Sequence, residues 1–170
     1  MKKISTMIAV IGVILISSCE GPAGAPGIDG QNGSLAEVFE LKNVDFDYNA
    51  TDGYTIYRTL NPKLFSSDVI LIYRMTGTID ANTPIWQLIP RTLFLPQGEL
   101  DYDFDFSKED FTIYAGGNYD LSLTPRYIDN QTFRIVIVPG SFSSTLNKNS
   151  YADVLSALNI KESQIQNINF

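Results

Sequence analysis

Residues 99–106 alternate without a break. Leu100, Tyr102, Phe104 and Phe106 fall on one face, and Asp101, Asp103 and Asp105 fall on the other. Strand side chains point to opposite faces with period two, so this pattern predicts a half-buried strand. Residues 111–115 follow a polar turn at 107–110 and pair with it as a hairpin. Residues 68–75 (Asp-Val-Ile-Leu-Ile-Tyr-Arg-Met) and 132–138 (Thr-Phe-Arg-Ile-Val-Ile-Val) are instead continuous apolar runs. Such runs predict strands covered on both faces. Shorter strands are expected over 38–46, 54–60, 85–89, 91–95 and 120–123. Asn49 to Gly53, Asn61-Pro62, Pro96-Gln97-Gly98 and Pro139-Gly140 punctuate them.

The pattern changes after residue 149. Ser150 with Asp153 three positions on is a capping-box-like start. Tyr151, Val154, Leu155 and Leu158 then share one helical face, and Asn159 ends the helix in a left-handed conformation. Ile165 and Ile168 suggest one more short turn packing down. Eight or nine short strands and one C-terminal helix over residues 35–170 predict a single all-β domain. Its form is an antiparallel β-sandwich or an open barrel-like sheet, with the helix folded over a sheet edge.

The first thirty-four residues have a different pattern. Lys2 and Lys3 precede an apolar run over 8–16, too short for a stable membrane span. Ile16-Ser17-Ser18-Cys19 then places small residues directly before a cysteine. This is the form of a secretory signal over 1–18 ending in a lipobox, with Cys19 as the acylated residue. Glycine follows at 21, 24, 27, 30 and 33, a strict Gly-X-Y period. Residues 19–34 are read as an extended tether reaching roughly 40 Å at about 3 Å per residue. A collagen-type trimer would need three chains, and four triplets are short for that, so a monomer is the expectation.

Composition narrows the chemistry. The chain has no histidine and one cysteine. That excludes Ser-His-Asp and Cys-His catalysis, imidazole metal ligation and an internal disulfide. Acylation of Cys19 would also remove the only thiol, and its two or three lipid chains would exceed the two signals that stable anchoring takes. No Gly-x-Gly-x-x-Gly loop is present, which argues against a dinucleotide-binding domain. The formal charge is −7, and cleavage before Cys19 would remove two further positive charges. An acidic surface argues against nucleic acid and against a polybasic grip on lipid. Membrane attachment is therefore expected through the lipid alone.

The candidate sites are few. Asp101, Asp103 and Asp105 lie two residues apart on one strand face, about 6–7 Å between neighbours. That spacing suits a solvated face, and it also permits a carboxylate pair or part of a calcium site. Calcium takes six to eight oxygens, so Asp45 and Asp47, which alternate around Phe46, would have to line up beside the row. Trp86, the only tryptophan, reads as a core plug or, with Tyr54 or Tyr57, as a platform for stacking on a sugar. Arg74 and Arg134 sit inside apolar strands and call for carboxylate partners, with Asp68, Asp101 and Glu99 as candidates. Asn49-Ala50-Thr51 and Asn130-Gln131-Thr132 read as turns.

Four segments carry a resemblance: Cys19-Glu20-Gly21-Pro22 with its Gly-X-Y run, and residues 67–74, 85–90 and 133–139. Together they resemble small collagen-like lipoproteins of flavobacteria and other Bacteroidota. The resemblance implies a lipid-anchored protein of the outer membrane, facing the periplasm or the cell surface. Glu20 resembles the acidic leader used for surface export in that group. No defined reaction comes with these motifs. The expected role is non-catalytic, structural or by interaction with a protein or glycan. The alternatives are a carbohydrate-binding or calcium-dependent module, and a carboxylate-based hydrolase. No other cofactor is expected.

Overall fold

A computed structural model describes residues 36–142 and 146–168, and the signal, Cys19 and tether readings lie outside them. Among the described residues, ten strands form two five-stranded sheets. In chain order they are β1 (Glu37–Val44), β2 (Asp47–Asn49), β3 (Gly53–Thr59), β4 (Val69–Thr78), β5 (Pro84–Leu88), β6 (Arg91–Leu95), β7 (Gly98–Phe106), β8 (Asp110–Gly117), β9 (Gln131–Val138) and β10 (Gln166–Ile168). The helix α1 spans Tyr151–Ala157. The first sheet has the order β10-β1-β9-β4-β5, and the second β2-β3-β8-β7-β6. The domain is therefore all-β, with its sheets packed over a shared core rather than opened into one curved sheet.

That core takes one face from each sheet. Ile70 and Ile72 of β4 and Phe133, Ile135 and Ile137 of β9 meet Leu100 and Tyr102 of β7 and Phe111 and Ile113 of β8. Each such side chain contributes on the order of 1.5–3 kcal/mol when removed from water. The alternation of β7 holds over most of its length, with Leu100 and Tyr102 buried, Phe104 partly so, and Asp101, Asp103 and Asp105 exposed; Phe106, expected on the buried face, is exposed at the hairpin end. The β7–β8 hairpin closes at Phe106 opposite Phe111.

The continuous runs are also explained. β9 is buried along its whole length. Its second face, with Val136 and Val138, joins Leu71 and Tyr73 of β4 and Val38 of β1 in a second cluster. Val154, Leu155 and Leu158 cover that cluster. The Ser150 hydroxyl caps α1 by accepting the Asp153 N–H at 3.2 Å, and Asn159 takes φ 55° just after the helix.

Four expectations change. The helix lies on the outer face of the first sheet, not over an edge. The edge is covered instead by β10, which runs parallel to β1 with Phe39 opposite Gln166; the predicted turn at Ile165 and Ile168 is this strand, and the fold is not purely antiparallel. The weak strand at 120–123 is a 3₁₀ turn, Leu121–Leu123. There the Asp120 carboxylate accepts the Ser122 N–H at 3.0 Å, and local side-chain capping wins over sheet pairing. Finally, the strand over 38–46 breaks after Val44. Asn43 has φ 52°, the β1–β9 register shifts between Leu41 and Val44, and the Phe46 N–H leaves the sheet to donate to the Ile128 carbonyl at 2.9 Å.

Candidate functional site

The outer face of the first sheet is only partly covered. Toward one end lie α1 and the segment that follows it. Toward the other, Glu40 and Lys42 of β1, Thr132 and Arg134 of β9, Met75 of β4 and Trp86 of β5 surround a recess of about 330 Å³. The β4–β5 connection adds Ala81 and Asn82 to its wall, and the start of β5 adds Pro84. This volume is at the small end for ligand pockets.

Arg134 organises the recess. It faces outward because β9 alternates, with Ile135 and Ile137 turned to the inter-sheet core. A guanidinium buried on a sheet needs counter-charge, and the register supplies it by setting Glu40 opposite Arg134. Arg134 Nε donates to Glu40 Oε2 at 2.7 Å. Nη1 donates to the Tyr151 hydroxyl at 2.5 Å and to Glu162 Oε1 at 2.8 Å. The guanidinium carbon lies 4.2 Å from the Trp86 ring centroid, within cation–π range. Lys42 Nζ sits 3.2 Å from Glu40 Oε1. Burial pulls the Arg134 pKa down, but the hydrogen bonds to Glu162 and Glu40 outweigh it and hold the pKa above the ordinary value. Arg134 is thus permanently charged and held in place, although only 8% exposed.

The sequence candidates separate in space. Trp86 is half-buried, packed beside Tyr151 with ring centroids 5.7 Å apart; it is neither a core plug nor an open platform. Tyr54 and Tyr57 lie on the opposite sheet and on opposite faces of β3, so the three rings form no common surface. Tyr54 packs against Tyr48 with ring centroids 5.0 Å apart and planes tilted by 56°, and it lines a shallow groove of about 530 Å³ with Tyr119 and Asp120. Tyr57 is 54% exposed and donates to Asp110 Oδ2 at 3.0 Å.

The aspartates are also dispersed. Asp101, Asp103 and Asp105 run along one exposed strand face, and Asp105 Oδ2 accepts from the Tyr114 hydroxyl at 2.9 Å. Asp103 is opposite Tyr114, Tyr114 opposite Thr55, and Thr55 opposite Asp47. Asp47 is therefore three strand spacings away, about 14 Å, and does not line up beside the row. Asp45 accepts the Asn130 N–H at 2.7 Å instead. Among the described residues, no group of three or more His, Cys, Asp or Glu is arranged to hold a metal ion.

Neither buried arginine meets a partner named from the sequence. Arg134 has Glu40 and Glu162. Arg74 faces the inter-sheet core, where Nε and Nη2 both donate to Gln131 Oε1, at 2.8 and 2.6 Å, and the Tyr102 ring lies 4.5 Å away. Asp68 instead accepts the Phe65 N–H at 3.1 Å. The signal for Glu40 was its place in an otherwise apolar strand, Val38-Phe39-Glu40-Leu41: a lone buried charge there calls for a partner as much as Arg134 does.

No family profile, curated protein or solved structure matches the chain.

Proposed function

We propose that this chain is a lipid-anchored protein of the cell envelope whose β-sandwich serves a non-catalytic, structural or interaction role. The observation that carries this reading is the order Lys2-Lys3, apolar run, Ile16-Ser17-Ser18-Cys19 and Gly-X-Y repeat ahead of the sandwich. Cys19 would carry the lipid, and residues 19–34 would hold the domain clear of the headgroups. The resemblance to collagen-like lipoproteins of Bacteroidota points to the outer membrane, facing either the periplasm or the cell surface.

The non-catalytic part rests on chemistry. Without histidine or a free thiol, hydrolysis would fall to carboxylates. A working acid/base pair needs two carboxylates in contrasting environments, whereas Asp101, Asp103 and Asp105 share one solvated face. The most elaborate constellation, around Arg134, is built to hold its side chains still, which suits recognition.

Growth with an alkyne-tagged fatty acid tests the anchor. The wild-type chain is expected to take up the label and partition with membranes, and Cys19→Ser to lose both properties. An unlabelled, freely soluble wild-type chain would refute the reading. Protease treatment of intact cells then assigns the leaflet.

A further inference from the structure

We propose that the recess over Arg134 is a binding site for a neutral sugar residue. This rests on reading the domain as an interaction module, and it is independent of how the chain is anchored.

The first support is unused hydrogen-bonding capacity in a built site. Arg134 spends Nε on Glu40 and Nη1 on Tyr151 and Glu162. Among the described residues its Nη2 donates no hydrogen bond, and neither does the indole N–H of Trp86. Thr132 is only 5% exposed, and its hydroxyl is likewise without a partner among the described residues. All three residues line the recess. Polar groups of residues as buried as Arg134 and Thr132 are normally satisfied within the fold. Here they remain unspent, in residues that line the recess.

The second support is charge. Glu40 and Glu162 balance Arg134 and Lys42, so the cluster has no excess of either sign. An ionic ligand would have to break one of these pairs or bring its own counter-ion. The chain's formal charge of −7 further disfavours an anion. A hydroxyl both donates and accepts, and so matches Arg134 Nη2 on one side and the Glu40 carboxylate or the Asn82 amide on the other.

The third support is the wall. Trp86, Met75 and Pro84 present apolar surface next to these polar groups. A pyranose has the same division, with C–H faces and a hydroxyl rim. Because the ion pairs already fix Arg134 and Glu40, binding costs little reordering.

Trp86 is the only tryptophan, so its emission reports on this recess alone. The full-length protein, held in a detergent without a sugar headgroup, would be titrated with neutral oligosaccharides of glucose, galactose, mannose and N-acetylglucosamine. Oligogalacturonate and a neutral tripeptide serve as comparators. The expected result is a saturable change in Trp86 emission with at least one neutral oligosaccharide. Asn82→Ala and Thr132→Val should each weaken it by about tenfold, the loss of one good hydrogen bond, with melting midpoints kept near wild type. No response to any neutral oligosaccharide would overturn the proposal. So would equal or tighter binding of the uronate or the peptide, or unchanged affinity in both variants. Each of these failures leaves fatty-acid labelling at Cys19 unaffected, so the anchor is judged separately.

Discussion

Arg134 Nε donates to Glu40 Oε2 across 2.7 Å, joining β9 to β1 on the outer face of the first sheet, with both side chains more than nine-tenths buried. Removing one member of a buried pair strands the other charge, which typically costs 3–5 kcal/mol, whereas replacing both with apolar residues of similar volume is often neutral or stabilising. Glu40→Gln is therefore expected to lower stability by about 3 kcal/mol, toward the low end because Glu162 remains on Arg134. The double variant Glu40→Met/Arg134→Met should recover most of that loss. Urea unfolding of the three proteins checks it; a double variant less stable than Glu40→Gln would show that the pair itself stabilises the fold.

Arg74 presents the opposite case, a buried cation with no carboxylate bonded to it among the described residues. Burial lowers its pKa, and the Tyr102 and Tyr127 hydroxyls only partly offset that. Its acceptor is Gln131 Oε1, which is held by Gln131 Nε2 donating to the Arg126 and Asp129 carbonyls at 3.0 and 2.5 Å. Gln131→Leu should cost about 3 kcal/mol, because a hydrogen bond to a charged group is lost inside the core. Once Arg74 is Met, the same Gln131→Leu change should cost clearly less. A double-mutant cycle measures this coupling, and strictly additive losses would mean that Gln131 acts through its backbone contacts alone.

How much of this was legible in the sequence depended on whether a neighbour had to be known. β7 could be read from itself, because alternation of Leu100 and Tyr102 with Asp101 and Asp103 states which face is wet. β4 and β9 could be read as covered on both sides, because nothing in Ile70 to Tyr73 or Ile135 to Val138 is suited to water. Asn159 carried its own conformational signal. What was hidden depended on register. β10 has one apolar residue, Ile168, between polar neighbours, and becomes a strand only because β1 offers a free edge. The recess was hidden for the same reason: Glu40, Met75, Trp86 and Arg134 come from four distant segments, and only the pairing of β1, β9, β4 and β5 brings them together. Trp86, which the sequence offers as a core plug or as a platform with Tyr54 and Tyr57, stands apart from those two rings because the second sheet carries them away from it.

Alkaline pH should loosen the contact between the C-terminal segment and the first sheet. Tyr151 packs beside both Trp86 and Arg134, and burial raises its pKa to about 12 even though Arg134 beside it pulls the other way. An unfolded tyrosine titrates near 10. Between about pH 10 and pH 12 the unfolded chain therefore binds fewer protons at this position than the folded one, and stability falls as pH rises. The contribution is complete below pH 10 and is lost as pH passes the folded value, at most about 3 kcal/mol for two units. Tyr73 and Tyr102, raised still further by burial, act in the same direction. Urea midpoints should hold steady up to about pH 10 and then drop. In Tyr151→Phe the drop should be shallower, although the variant starts from lower stability at neutral pH for want of the Arg134 hydrogen bond. Equal slopes in the two proteins would assign the alkaline sensitivity to the other buried tyrosines and detach it from Arg134.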